Sequence, residues 1–406
     1  MKFCMVTTFY PPYHFGGDAT YVRALSRALV RRGHEVTVVH CEDAYALRGS
    51  APVELADEEE GITVHRLKSA AGVLSPIITQ QAGIPGLKSA ALRKILAAPF
   101  DVVNFHNVSL VGGPGVLSLS NAPINLYTLH EHWLVCPTHI FWKNRREACD
   151  KRQCFRCSIR SGIPPQLWRY GPFVGRALEA IDLFLSPSEY TARRHAQLLP
   201  VADRIAVLPL FATRPSLDAQ SVAQRSGRFL FVGRLTPAKG ITALLESFAR
   251  WPEHGLDVVG EGELSEMLRS RFAAHDNIRF LGALPQGDLG RHYREAAALV
   301  MPSLAPETFG LTIVEAFAHG TPAIVRIAGG NREAVDASGA GILYEDEGGL
   351  RAALDQIAGD PQATSRLGER AREAFEAHYT EDLHVDGYLA NIETVRQRKE
   401  KQALLR

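Results

Sequence analysis

The sequence predicts an α/β fold built from two doubly wound parallel sheets, and three observations carry that expectation. Short apolar runs alternate with helical patterns over nearly the whole chain, as parallel strands covered by helices require. The 406 residues exceed what one ordinary core accommodates. The alternation breaks once, over Leu208–Gln224, a polar stretch with Pro209 and Pro215 that reads as a linker. Two such domains facing each other would leave an interdomain cleft at the C-terminal edges of their sheets, where ligands of such folds bind.

Taken in order, Lys2–Thr8 reads as a first buried strand. Asp18 is placed to cap a helix whose Tyr21, Val22, Leu25, Ala28 and Leu29 share one apolar face. Gly33 ends that helix, and Glu35–His40 is the next strand. Further strands are expected at 62–67, 101–105, 125–129, 182–185 and 205–208. Beyond the linker come strands at 228–232, 255–259, 277–281, 297–301 and 322–325, with helices between them. From about residue 349 the chain reads as helix to its basic end. The expected domains are 1–207 and 208–380, with 381–406 a C-terminal helix packing back on the first.

Hydrophobic residues make up 46% and charged residues 22%, an ordinary globular composition. A formal net charge of +1 argues against nucleic acid as a partner. No apolar run approaches a membrane span, and the N-terminus lacks the apolar centre of a signal peptide, so a cytoplasmic location is expected. Six cysteines in a chain of this length, four of them clustered, do not form the pattern of a secreted disulfide framework.

The most informative stretch is PETFGLTIVEAFAHGTP, residues 306–322. It sets two carboxylates, Glu307 and Glu315, on either side of Phe309-Gly310-Leu311, and its second half reads as a short amphipathic helix. Glu307 would lie in the loop before that helix and Glu315 in its opening turns. A helix start presents unpaired N–H groups and partial positive charge, and Gly310 lets a phosphate approach the backbone. Flanking carboxylates can accept hydrogen bonds from sugar hydroxyls. A sugar joined to a phosphate fits both. A glutamate early in a helix suits the helix dipole in any case, but that does not account for Glu307, the glycine or the preceding Pro302-Ser303.

Two other strand-to-helix loops support the same site. In FLFVGRLTPAKG, Phe229–Val232 is a strand, Gly233–Lys239 a loop, and a helix follows from about Gly240. Arg234 and Lys239 then sit on the ligand edge, where two cations can neutralise a diphosphate: Arg by forking two oxygens, Lys as a point charge. In FYPPYHFGGDATYV, Gly16 and Gly17 precede the first helix and can bring backbone N–H groups against a phosphate or sugar. The dinucleotide fingerprint G-x-G-x-x-G is absent from this turn, which counts against a nicotinamide enzyme.

On Gly16-Gly17, the Arg234/Lys239 pair, PSLAPETFGLTIVEAFAHGTP with its Glu-x7-Glu spacing, VGEGEL at 259–264 and FLG at 280–282, the chain resembles the retaining glycosyltransferases of family 4, group 1, with the GT-B fold. The resemblance implies two Rossmann-like domains, the N-terminal one on the acceptor side and the C-terminal one binding a nucleotide-sugar. It implies that Arg234 and Lys239 hold the donor diphosphate. Glu307 and the backbone of Phe309, Gly310 and Leu311 would hold the donor sugar, and Glu315 the ribose hydroxyls. Gly16 and Gly17 would lie near the diphosphate or the acceptor. His130, ending strand 125–129 in TLHEHW, would reach the donor sugar near the reacting carbon. His106 and His132 are weaker candidates.

The function so implied is transfer of a hexosyl group, with retention, from a UDP- or GDP-sugar to a glycan, lipid-linked or small-molecule acceptor in polysaccharide or glycoconjugate assembly. No cofactor is required for that catalysis. Alternatives are a nucleotide-sugar hydrolase or epimerase on the same fold, and a non-catalytic nucleotide-sugar-binding protein.

Cys136, Cys149, Cys154 and Cys157 follow C-x12-C-x4-C-x2-C in a long loop. Four thiolates suit structural zinc first and an iron–sulfur cluster second, with unligated thiols or a redox disulfide as the alternatives. Cys4 reads as core. The same loop is basic, from Lys143 to Arg160, and leads into IPPQLWRYGPF with Trp168, Tyr170 and Phe173. That combination suits peripheral contact with an anionic membrane at its inner face, or a lipid-linked phosphate acceptor; the alternative is a solvated charged loop.

Overall fold

The computed structural model describes residues 1–47, 61–215 and 225–405. Its first sheet contains β1 (Lys2–Val6), β2 (Glu35–Cys41), β3 (Ile62–Leu67), β4 (Val102–Phe105) and β5 (Ile124–Thr128). A separate two-stranded ribbon follows, β6 (Trp142–Lys143) and β7 (Glu147–Ala148), before the sheet resumes with β8 (Leu183–Ser186) and β9 (Ile205–Val207). The second sheet contains β10 (Phe229–Val232), β11 (Leu256–Val259), β12 (Ile278–Gly282), β13 (Leu299–Met301), β14 (Ala323–Arg326) and β15 (Gly341–Tyr344).

The sheets run β3-β2-β1-β4-β5-β8-β9 and β12-β11-β10-β13-β14-β15, and every pairing in them is parallel. Both are therefore doubly wound, as expected. In each, the order reverses beside the first strand: at β1/β4 and at β10/β13. Every residue of β4 and β5 is buried, which is why central parallel strands read as continuous apolar runs. Phe105, Leu117, Trp133 and Phe184 belong to the first core. Phe229, Phe231, Phe248 and Ile324 belong to the second.

The chain divides into two compact units. Unit 1 is Met1–His139, Gln153–Leu208 and Val385–Arg406; unit 2 is Ile140–Arg152 and Pro209–His384. Within unit 1, the last helix (Glu381–Leu404) is tied down by Asn104 donating to the Tyr388 hydroxyl at 3.1 Å and by a 2.6 Å ion pair between Lys399 and Asp182.

Four features differ from the sequence reading. Ile140–Arg152, expected inside the first domain, belongs to unit 2, because Trp142 buries against Ala238 and Ala305 and Arg145 pairs with Glu263 at 2.9 Å. The ribbon β6–β7 and strand β15 were not expected; Gly341, which opens β15, is held to glycine because a Cβ there would meet the Ala323 carbonyl oxygen at 2.1 Å. Asp18 is not the cap of the first helix. That helix, Gly17–Arg31, is preceded by Gly16 at φ 80°, and Asp18 lies in its first turn. Of the expected linker, residues 216–224 lie outside the described residues.

Candidate active site

The reversal of strand order in the second sheet brings the loops after β10 and β13 together. Backbone bonds join them: the N–H groups of Leu304 and Ala305 both donate to the Ala238 carbonyl, at 2.9 and 3.0 Å. Gly240 makes the approach feasible. It has φ 70°, and a Cβ there would sit 2.1 Å from the Pro302 carbonyl oxygen. A third loop, after β14, docks on the same place. Glu307 and Gly329 form a parallel bridge, with Glu307 N–H donating to Ala328 O at 3.1 Å and Gly330 N–H to Glu307 O at 2.8 Å. A Cβ on Gly329 would lie 2.5 Å from the Glu307 carbonyl oxygen.

These loops assemble a charged cluster. Lys239 Nζ donates to Glu307 Oε1 at 2.7 Å, and Ser303 Oγ donates to the same oxygen at 2.7 Å. Glu307 Oε2 takes no hydrogen bond among the described residues. Burial alone would raise the Glu307 pKa. The Lys239 charge and hydrogen bond, the Ser303 hydroxyl and the Arg234 charge outweigh it and hold the carboxyl below its usual range. Glu307 is thus an ionised acceptor at neutral pH. Arg234 is exposed and forms no ion pair or hydrogen bond among the described residues, so its fork is available to an incoming anion.

Gly310, at φ 105°, begins the helix Leu311–Ala318. Leu311 is the first helical residue, while Phe309 is buried, with its ring 6.1 Å from that of Tyr379. Phe309 therefore anchors the loop and presents its backbone rather than its ring. Glu315 accepts from the Tyr293 hydroxyl at 2.7 Å. Burial, and then the Glu315 charge, push the Tyr293 pKa well above its usual value, so it remains a phenol donor.

In unit 1 a second cluster forms at the corresponding sheet edge. His130, just past β5, lies 2.9 Å (Nε2) from His106 Nδ1, just past β4. Their rings stack at 5.2 Å, and the Tyr21 ring stands edge-on to His130 at 4.9 Å. Burial, and then the His130 charge, lower the His106 pKa well below its usual value, so a neutral His106 orients His130. Asp18 accepts from Ala19 N–H at 2.9 Å and from Asn107 Nδ2 at 3.3 Å. A Cβ added at Gly16 would meet only Asp18 Oδ1, at 3.8 Å, so its positive φ, not crowding, calls for glycine. Gly17 opens the helix and is exposed.

Comparison with known proteins places the chain in a family. Residues 15–212 match the family model described as Glycosyltransferase Family 4, and residues 215–374 match the one described as Glycosyl transferases group 1. The structure aligns with a sucrose-phosphate synthase from Thermosynechococcus elongatus at TM-score 0.74 and 20% identity, covering 100% of both chains. The chain is a GT-B glycosyltransferase. It is 24% identical over 397 residues to an uncharacterized glycosyltransferase of Methanocaldococcus jannaschii, in a match spanning 89% of this chain and 90% of the relative. The structure of the Anabaena protein Alr3699/HepE in complex with UDP-glucose aligns at TM-score 0.66 and 16% identity, covering 99% of this chain and 100% of that one.

In this glycosyltransferase the sequence-level candidates Lys239 and Glu307 meet directly, and Arg234 acts on Glu307 through its charge. Glu315 follows on the same loop-to-helix segment, held by Tyr293. Tyr293, Gly329 and the orienting role of His106 went unread, because each acts through a loop distant in sequence. The His132 ring stacks on His195 at 5.6 Å.

Among the described residues no group of three or more His, Cys, Asp or Glu is arranged to hold a metal ion. Cys149 belongs to unit 2, its N–H bonded to Phe141 O at 2.7 Å, whereas Cys136, Cys154 and Cys157 belong to unit 1. Cys154 and Cys157 share the short helix Cys154–Arg160, and Cys136 Sγ lies 3.2 Å from the Thr138 hydroxyl.

Asp18 supplies a test of the unit 1 cluster. Burial, and then the Glu131 charge, push its pKa up to about 6, against hydrogen bonds that lower it. The folded state therefore binds this proton more tightly than the unfolded chain, so ionising Asp18 costs stability as pH rises from about 4 to 7. The Tm of Asp18→Asn relative to the native chain should shift in the variant's favour over that range, by the equivalent of about 1–2 kcal/mol. A pH-independent difference would contradict the assigned burial.

Proposed function

We propose that this enzyme transfers a hexosyl group, with retention of anomeric configuration, from a nucleoside-diphosphate-sugar to a glycan, lipid-linked or small-molecule acceptor. The observation that carries the donor reading is the Lys239–Ser303–Glu307 arrangement beside Arg234 at the β10/β13 reversal, ahead of the Gly310 helix start. Lys239 has three N–H donors, and one is spent on Glu307. The others, with Arg234, would meet the diphosphate. Glu307 Oε2 would accept from a sugar hydroxyl, and Glu315 from the ribose. UDP- or GDP-sugars are the leading donors, and the UDP-glucose complex of the Anabaena protein supports a donor of that class.

The bond that breaks joins the anomeric carbon to a phosphate oxygen. Negative charge grows on the departing diphosphate as the sugar takes on oxocarbenium character. Groups already aimed at that charge stabilise the transition state more than the ground state. In the proposed step the acceptor oxygen attacks from the face the phosphate is leaving, and its proton passes to the departing phosphate oxygen. His130, positioned by His106, would contact the donor sugar. Assembly of a polysaccharide or glycoconjugate is the proposed setting, in the cytoplasm.

A thermal-shift screen with UDP-, GDP-, ADP- and dTDP-sugars tests donor class. One base should raise Tm by mass action, and no shift with any of them would refute the reading. NMR of the product from an α-linked donor should show an α-linkage; a β-linkage would rule out the same-face mechanism.

A further inference from the structure

Unit 1 carries an apolar surface that the donor site does not use. Leu74, Leu87, Phe155, Ile159, Leu167 and Tyr170 are between 51% and 69% exposed, where scattered single apolar residues would be unremarkable. They come from elements that adjoin. Trp168 Nε1 donates to Gln80 O at 3.0 Å, and Gln81 Nε2 to Pro164 O at 3.5 Å, joining the helix Leu74–Ala82 to the 163–170 segment. A Cβ on Gly83, which ends that helix, would touch both Trp168 and Phe173 at 3.0 Å. The helix Cys154–Arg160 leads directly into the same segment, with Ile163 N–H bonded to Ser158 O at 2.9 Å. The aromatics expected to be interfacial divide here: Trp168 and Phe173 pack inward as supports, while Tyr170 stays outside.

Charge on these elements is of one sign. Residues 61–100 hold Arg66, Lys68, Lys88, Arg93 and Lys94 and no acid. Residues 153–178 hold Arg156, Arg160, Arg169 and Arg176 and again no acid. Lys68 pairs with Glu42, Lys88 is buried on Ser75 and Thr79, and Arg169 lies over the Trp168 ring. Arg156 and Arg160 form no ion pair among the described residues. They are exposed on the same short helix as Phe155 and Ile159, so cation and apolar side chain alternate along it.

We propose that this face of unit 1 docks on an anionic lipid bilayer, with the apolar residues entering the headgroup boundary and the arginines meeting lipid phosphates. A second copy of the chain is disfavoured, because a twofold pairing would set the same unpaired cations against each other. Arg and Lys stems can lie along apolar surface while their heads reach phosphate, which suits a lipid interface.

The test is cosedimentation of the full chain with phosphatidylcholine vesicles with and without phosphatidylglycerol, read without donor or turnover. Binding should require phosphatidylglycerol and weaken at least about tenfold at high salt. Arg156→Glu/Arg160→Glu should weaken it at least about tenfold, and Leu74→Ser/Leu167→Ser should also weaken it, with Tm unchanged in both. No binding at low salt, equal binding to both vesicle types, or unaltered binding by both variants would overturn the proposal. So would a native dimer in solution that Leu74→Ser/Leu167→Ser converts to monomer.

Discussion

Lys239→Ala is expected to lower kcat/KM for a nucleoside-diphosphate-sugar by about a hundredfold or more. Two losses combine. The diphosphate loses a cation aimed at its growing charge, and Glu307 loses the 2.7 Å partner that keeps it ionised against burial. The second loss fixes a sign. Without Lys239 the Glu307 pKa rises, so the variant's activity should fall away at a higher pH than the native enzyme's as conditions are made more acidic. Lys239→Arg should not restore the rate, because a planar fork does not replace a compact ammonium bonded to Glu307. Because the two side chains act as a unit, Lys239→Ala and Glu307→Gln should be non-additive in a double-mutant cycle. Additive losses would mean that the pair does not operate jointly.

Gly240→Ala should damage the site without touching a charged group. The new Cβ would lie 2.1 Å from backbone, the Pro302 carbonyl oxygen, and the residue would have to keep φ 70°. Neither a rotamer change nor a flexible neighbour can relieve that. The expected outcome is a loss of about 3 kcal/mol or more of unit 2 stability, or separation of the β10 and β13 loops with loss of donor binding. Gly33→Ala is the control: it also has positive φ, 81°, but nothing lies within 4 Å of the added carbon, so only the conformational cost of about 1 kcal/mol should appear. Denaturant titration of both variants separates strain from collision. Equal losses would contradict the close approach of the two loops.

The residues most legible in the sequence were those whose partners lie within the same short motif. Glu307, Gly310 and Glu315 share one loop and helix, and Arg234 and Lys239 share another, so their spacing alone suggested an anion and hydroxyl site. Tyr293 could not be read this way. Its partner Glu315 is on another helix, and only tertiary packing sets the 2.7 Å bond. Gly329 could not be read this way either, since it lies against the Glu307 backbone only because β14 neighbours β13. The same limit produced the error at Asp18: residue type favoured a cap, but the cap is Gly16, at positive φ, and the helix starts two residues earlier. Strand periodicity found nearly all the sheet and failed at β15, where glycine serves close packing and carries no pattern.

Calorimetric titration of the native chain and Arg234→Ala/Lys239→Ala with a nucleoside diphosphate and with the corresponding nucleoside tests the donor site most directly. The native chain should bind the diphosphate at least about a hundredfold more tightly than the nucleoside, and the double variant should lose most of that difference. Equal affinity of the native chain for the two ligands, or an undiminished preference in the variant, would show that this cluster does not grip a pyrophosphate.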